Sequence, residues 1–141
     1  MQDLLEHPLV GPFWQAASED RLCISHCPGC ERDIWYPTAK CSICQGELQW
    51  RTLSGAGKLL AWTTVRRDIG GSLPAPYVTG LVRPLDAPGV NLVSLLVAGP
   101  DAVLNCDVSV EARFDWVTRL DGSRIRAPIF HVTEHTPGES P

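Results

Sequence analysis

Four cysteines occur in two pairs with the same internal spacing, Cys27-x2-Cys30 and Cys41-x2-Cys44, and ten residues separate the pairs. Each two-residue gap lets a pair fold into a tight knuckle around one metal ion, with backbone amides close enough to bond the sulfurs. Four thiolates are a donor set that suits tetrahedral zinc. We therefore predict that these four residues bind a structural Zn²⁺. A full shell of thiolates leaves no open position for catalysis, so this metal would hold the fold together.

Two other interpretations of the double motif are a pair of disulfides and a redox-active CxxC. The chain has six cysteines, so Cys23 and Cys106 would be left over in either case. The opening MQDLLEHPLVG is acidic, which argues against a secretory or mitochondrial leader and predicts a reduced, cytoplasmic setting. Cys23 is expected to be a half-buried strand residue. Cys106 is expected to be a buried, inert thiol, because no basic neighbour would lower its pKa.

The histidines do not form a catalytic set with any other residue. His7 and His135 lie in the terminal segments, where they are expected to be solvated. His26 neighbours a cysteine pair and is the alternative as a replacement ligand or as a hydrogen-bond donor to the metal site. His131 is in phase with the apolar residues of the last predicted strand, which favours a hydrogen-bonded core or rim histidine over a catalytic base. No GxSxG or P-loop motif is present.

The bulk composition indicates a folded domain without a nucleic-acid-binding face. The chain has 141 residues, of which 44% are hydrophobic and 20% charged, and no apolar run approaches the ~20 residues that a membrane span needs. Residues 1–50 carry three Lys/Arg and seven Asp/Glu, and the remainder carries nine of each. Because phosphate neutralisation supplies most of the affinity of nucleic-acid binders, this balance argues against DNA or RNA as a partner.

Composition and turn signals predict four successive segments. They are an N-terminal helical segment (1–20), a rubredoxin-like zinc ribbon (21–50), a β-barrel (51–135) and a flexible tail (136–141). Pro12 suits the first position of a helix over residues 12–20. Phe13 and Trp14 are expected to anchor this helix on the neighbouring domain, the alternative being an exposed pair that docks on a partner.

Five short strands separated by Gly and Pro turns are predicted in the second part of the chain. They are Lys58–Arg67, Tyr77–Arg83, Val90–Ala98, Val108–Trp116 and Ile125–Val132. The fold class is therefore mainly β, and the strand number matches a five-stranded OB-fold barrel, with an SH3-like barrel as the alternative.

Hydrophobic patterns predict how three of these strands are buried. Val90–Ala98 is nearly all apolar and is expected to be buried on both faces. Val108–Trp116 alternates, which predicts that its apolar side chains, Trp116 included, point inward. In the first strand the alternation places Leu59 and Ala61 on one face and Trp62 on the other. Within the last strand, Pro128 indicates an edge or a bulge.

The order of these pieces closely resembles a zinc-ribbon plus OB-fold family that was first catalogued as a domain of unknown function. The resemblance covers about residues 12–131 and rests on the following pieces, in order: Phe13-Trp14, Arg21-Leu22, the four paired cysteines, Pro37, Ser54-Gly55-Ala56-Gly57, Pro76-Tyr77-Val78 and Val110-Glu111-Ala112-Arg113-Phe114. Two positions depart from the family pattern. Cys106-Asp107 replaces a glycine, and Thr38-Ala39 stands where a basic residue is often found.

Members of this family accompany thiolase-like condensing enzymes, lipid-transfer-type thiolases acting as aldolases, or hotdog-fold enoyl-CoA hydratases. The resemblance thus implies a hetero-oligomer in which this chain is an accessory subunit rather than a free-standing enzyme. It also implies that the barrel holds or passes an acyl-CoA thioester while the ribbon and helix dock on the partner. A nucleic-acid-binding OB module is the alternative function, favoured by the fold and opposed by the charge.

Arg66 and Arg67 are the candidates for binding CoA phosphates. They end the first predicted strand of the barrel and precede the Asp68–Ser72 loop, and OB folds commonly bind ligands with such loops and the adjoining strand face. Two guanidinium groups there could bind phosphates, while Trp62 or Tyr77 offers an aromatic surface for adenine or the pantetheine arm. The alternative is a pair of solvated arginines at a strand end.

Overall fold

A computed structural model describes residues 4–67, 73–98 and 104–133. A short 3-10 helix at Leu4–Glu6 precedes helix α1 at Gly11–Ser18. Eight strands follow: β1 Leu22–Cys27, β2 Arg32–Ile34, β3 Gln49–Leu53, β4 Ala56–Val65, β5 Tyr77–Pro84, β6 Leu92–Val97, β7 Ser109–Thr118 and β8 Arg124–Val132. The loop 68–72, His135 and the tail 136–141 lie outside the described residues, so the interpretations given to them stay predictions.

The strands form two sheets. The ribbon is a three-stranded antiparallel sheet in the order β2-β1-β3, and the other five strands close into a barrel in the order β4-β5-β6-β8-β7. Only the β6–β8 pair of the barrel is parallel. This is a five-stranded OB-type barrel, so the predicted fold class is confirmed.

Helix α1 begins at Gly11, one residue before the predicted start, and ends two residues before the predicted end. Phe13 is 9% exposed and its ring centroid lies 5.0 Å from that of Trp35 in the ribbon, so it anchors the helix as expected. His7 is half-buried rather than solvated, because its Nδ1 accepts hydrogen bonds from the amides of Leu9 and Val10 at 3.1 and 3.3 Å. Among the helices in the described part of the chain, none has the length and hydropathy of a membrane span.

The burial expected for two strands is wrong, for different reasons. Strand β6 buries only one face: Leu96 is 5% exposed, whereas Val93 and Val97 are 72% and 45% exposed on the outer face. Trp116 was expected inside and is 49% exposed. Strand β7 pairs with β4 only from Ser109 to Glu111 but with β8 from Val110 to Thr118, so its second half has β8 as its neighbour on one side and no pairing with β4 on the other.

A β-bulge in β4 breaks the alternation that the sequence predicted there. Leu59 pairs with Val82 and Ala61 with Leu81, so Leu60 has no partner in the ladder. Neighbouring residues of β5 point to opposite faces, and Leu59 and Ala61 therefore face opposite ways instead of sharing a face. Leu59 is fully buried, while Ala61 is exposed.

Pro128 lies at the position where the ladder between β6 and β8 begins, one residue before the first parallel pair, Leu95 with Ile129. Before this point the two strands are joined through a side chain, because the Ser94 hydroxyl donates to the Pro128 carbonyl at 2.9 Å. Proline has no amide hydrogen to donate to a ladder, and it is tolerated at this end of the β6–β8 pairing.

Gly57→Ala is expected to lower the free energy of unfolding by about 2 kcal/mol, because overpacking a filled core costs that much. A Cβ at Gly57 would lie 2.8 Å from a methyl carbon of Val82 and 2.9 Å from the backbone oxygen of Arg83. Gly89→Ala is the matched control, since a Cβ there has no atom within 4 Å. Urea unfolding of both variants measures the difference, and equal midpoints would contradict this account of the packing.

Candidate metal centre and apolar cleft

The four paired cysteines converge at one point of the ribbon. Their sulfur atoms all lie within 4.8 Å of one another, with Cys27 and Cys44 at 3.5 Å and Cys30 and Cys41 at 3.8 Å. Four sulfurs at ~2.3 Å from a tetrahedral zinc would lie about 3.8 Å apart. A disulfide would need ~2.05 Å. The geometry therefore suits a metal ion, which these four residues could bind.

Both knuckles direct backbone amides at the sulfurs. The amide of Cys30 donates to Cys27 Sγ at 3.4 Å, and the amide of Gly46 donates to Cys44 Sγ at 3.3 Å. Amides of Cys44 and Ile43 lower the pKa of Cys41 to about 6, whereas a hydrogen bond with the Cys44 thiol, followed by burial, raises the pKa of Cys30 to about 12. Since the thiolate is the form that binds metal, the amides favour the ligand state of Cys41.

His26 lies outside the cysteine cluster and bonds a carboxylate instead. Its Nδ1 is 2.8 Å from Oδ1 of Asp33, its cross-strand neighbour in β2. Arg51 in β3 donates to both oxygens of Asp33, each at 2.7 Å, and also to the backbone oxygen of Asp86 beyond β5. The guanidinium of Arg51 holds the pKa of Asp33 below its usual value. These contacts, which we call the Arg51 clamp, join the ribbon to the barrel.

A cleft of about 470 Å³ lies between helix α1, the ribbon and the barrel. One wall is aromatic and combines Phe13 and Trp14 of α1 with Trp35 and Tyr36 of the ribbon. The ring centroid of Trp35 lies 5.0 Å from that of Phe13 and 5.5 Å from that of Tyr36, so the rings form a continuous surface. The opposite wall is mostly aliphatic and comes from the barrel strands: Leu92, Val93, Leu95, Val117, Ile125 and Ala127.

Comparison with known proteins finds a match for the barrel. Residues 50–115 match the family model described as ChsH2, C-terminal OB-fold domain. The match shows that the barrel is similar to this OB-fold domain. The resemblance predicted from the order of the sequence pieces is thus confirmed.

Two solved structures share the fold of this barrel and its ribbon. A chain of the Ltp2–ChsH2(DUF35) aldolase is 22% identical with a TM-score of 0.70, and the match covers 89% of this chain and 95% of that one. A DUF35-family protein of unknown function from Sulfolobus solfataricus is 15% identical with a TM-score of 0.54, over 89% of this chain and 86% of that one. No curated protein matches the sequence.

The four residues predicted to contact CoA lie at different places on the barrel. Tyr77 lines the cleft and pairs across the sheet with Val65, the residue before Arg66 and Arg67. Both arginines are exposed at the end of β4. Trp62 is 40% exposed and pairs with Gly80, away from the described lining of the cleft. The structure therefore brings Tyr77 close to the arginine pair and leaves Trp62 apart.

The burial of the two remaining cysteines differs from the prediction: one is more exposed than expected and the other is more buried. Cys106 is exposed, so the prediction of a buried thiol is wrong, and its Sγ donates to the backbone oxygen of Leu60 at 3.4 Å. Cys23 is only 4% exposed, which is more buried than predicted, and its Sγ lies 3.3 Å from Oγ1 of Thr52. Neither thiol lies in the metal cluster or lines the cleft.

His131 is half-buried on β8, between Val97 of β6 and Glu111 of β7. Burial, followed by the positive charge of Arg113, lowers its pKa from the usual value. The described lining of the cleft does not include this histidine. That position agrees with a rim histidine.

Proposed function

We propose that this chain is an accessory subunit that holds a structural zinc ion and serves as a scaffold for a thiolase-like enzyme acting on acyl-CoA thioesters. One observation carries the proposal: the similarity to a chain of the Ltp2–ChsH2(DUF35) aldolase extends over 89% of this chain. The ChsH2-type barrel supports the same interpretation. A hotdog-fold hydratase is the second partner class that the family resemblance implies.

The chemistry of the described side chains supports a role without catalysis. The cysteine cluster would give zinc four sulfur ligands, which leaves no position for a reacting water. In the described lining of the cleft, Arg119 is the charged residue, and no carboxylate, histidine or thiol accompanies it. The lining also carries hydroxyl groups, on Tyr36, Tyr77, Thr79 and Ser94, and a hydroxyl nucleophile needs an adjacent base to activate it. The reaction would therefore take place on the partner.

Purification of the tagged chain from its native host, followed by mass spectrometry, tests the proposal. The expected result is capture of a thiolase-like or hydratase-type acyl-CoA enzyme. The activity of that enzyme should fall when this chain is removed and return when purified chain is added back. A partner that is stable and fully active alone would overturn the proposal.

We expect that Arg66→Ala combined with Arg67→Ala weakens acyl-CoA binding by roughly tenfold or more, because charge-assisted hydrogen bonds to phosphate would be lost. Arg32→Ala combined with Lys40→Ala is the matched control, since it also removes two exposed positive charges but from the ribbon. Calorimetric titration with an acyl-CoA measures both double variants. Unchanged affinity in the first would identify Arg66 and Arg67 as solvated strand-end residues.

A further inference from the structure

The cleft has the size and openness of a small-molecule site. Its volume of about 470 Å³ falls within the ~300–1,000 Å³ that is usual for ligand pockets. Two residues of its rim, Tyr36 and Val93, are 56% and 72% exposed, so an apolar ligand could enter from solvent. The aromatic wall and the aliphatic wall would contact a narrow ligand on two sides.

The lining of the cleft is mostly apolar and favours a ligand portion with few polar groups. Arg119 provides the charge within the described lining, and the hydroxyl of Ser94 already donates to the Pro128 carbonyl. Polar groups that are buried without hydrogen-bond partners cost free energy, so a peptide or a nucleobase would fit poorly. A hydrocarbon chain needs no such partners.

The part of the cleft that Tyr77 lines, which we call its Tyr77 end, lies near positively charged side chains. Tyr77 lines the cleft, and its cross-strand partner Val65 directly precedes the exposed Arg66 and Arg67. Opposite residues of an antiparallel pair have Cα atoms ~5 Å apart, which places the arginine pair close to this end. The apolar cleft and the two guanidinium groups together complement a molecule with a hydrocarbon tail and an anionic head.

We propose that the cleft binds the aliphatic chain of an acyl thioester and that Tyr77 marks the end where the thioester head leaves toward Arg66 and Arg67. This inference rests on the proposed function and deepens it by assigning the acyl group to a site on this chain. The aromatic wall from α1 and the ribbon would cover one side of the bound acyl chain, and strands of the barrel would cover its other side.

A fluorescence titration of the full chain with dansyl-labelled undecanoic acid tests the site. Saturable binding is expected, with displacement by both decanoyl-CoA and decanoic acid. Decanoyl-CoA should displace the probe at roughly tenfold lower concentration, because only its phosphates reach the arginines. Displacement by CoA alone as strong as by decanoyl-CoA, or absence of saturable probe binding, would overturn the assignment.

Two valines of β6 provide a matched pair of variants. Val93 and Val97 lie on the same outer face and are both exposed, but of the two only Val93 lines the cleft. Val93→Glu should weaken probe binding roughly tenfold or more, because a carboxylate would contact the hydrocarbon chain. Val97→Glu should leave the affinity within about twofold. Equal effects of the two substitutions would contradict the site.

Partner capture, measured on the same preparations, distinguishes the two proposals. If the wild-type chain captures an acyl-CoA enzyme but binds no acyl probe, the scaffold function stands and the cleft assignment fails. If the chain binds the probe but captures no such enzyme, the proposed function fails while the acyl site remains.

Discussion

Removal of the metal is expected to unfold the ribbon and to dismantle the aromatic wall of the cleft. Zinc contributes about 10–16 kcal/mol to the folding of small zinc-finger peptides, so a ribbon of three short strands depends on it. Trp35 and Tyr36 lie between Cys30 and Cys41, so both ends of their loop would be fixed by ligands of the same ion. Without an ion, no other contact of comparable strength in the described part of the chain would hold these two rings against α1.

Cys27→Ser tests this prediction, with Cys106→Ser as the control. Cys27 is 1% exposed within the cluster, whereas Cys106 is exposed and lies outside it. The wild-type protein and the control should contain about one zinc per chain, and Cys27→Ser should contain almost none. The tryptophan emission of Cys27→Ser should shift to longer wavelength, because Trp35 becomes exposed to water.

Treatment of the wild-type protein with a chelator provides an independent measurement. It should reproduce the shift in tryptophan emission and should also abolish binding of the acyl probe. Metal-free protein that retains the wild-type emission spectrum would show that the ribbon folds without zinc. A Cys27→Ser variant with full zinc content would show that the ligand set is wrong.

The cysteine cluster and the barrel were predictable because their signals are local in sequence. Two CxxC pairs need only short-range spacing to define four ligands. Strand positions follow from period-two patterns between Gly and Pro turns, and β5 and β8 begin within one residue of their predicted starts. Burial was less predictable: nothing in the sequence of β6 or β7 states that Val93 and Trp116 remain 72% and 49% exposed.

The cleft and the Arg51 clamp were not predictable because their residues are distant in sequence. Trp35 of the ribbon and Ile125 of β8 line the same cleft although ninety residues separate them. Only Tyr77 had been selected as a candidate there, from its aromatic character. No spacing pattern in the sequence connects Asp33, Arg51 and Asp86. Asp33 of β2 and Arg51 of β3 come together because both strands pair with β1.

Arg51→Ala is expected to lower the free energy of unfolding by about 2 kcal/mol, because it leaves a mostly buried carboxylate without its main partner. The side chains of Arg51 and Asp33 are only 35% and 15% exposed. Glu19→Ala is the control, since it breaks an ion pair with Arg21 whose side chains are 64% and 48% exposed. Such a surface pair should change stability by less than about 0.5 kcal/mol.

A double-mutant cycle of Arg51→Ala with Asp33→Asn isolates the clamp from other effects of each substitution. Because the two side chains share a bidentate contact, the double variant should be more stable than the sum of the single losses predicts, with a coupling energy of about 1–2 kcal/mol. Arg51 also bonds the backbone of Asp86, whose Oδ2 accepts the amide of Ser54 at 2.8 Å at the start of the barrel. Loss of Arg51 should therefore also separate the ribbon from the barrel in urea, so that tryptophan emission and far-ultraviolet circular dichroism give different midpoints. Coincident midpoints and additive losses would show that the packing of α1 and β1 alone joins the two parts.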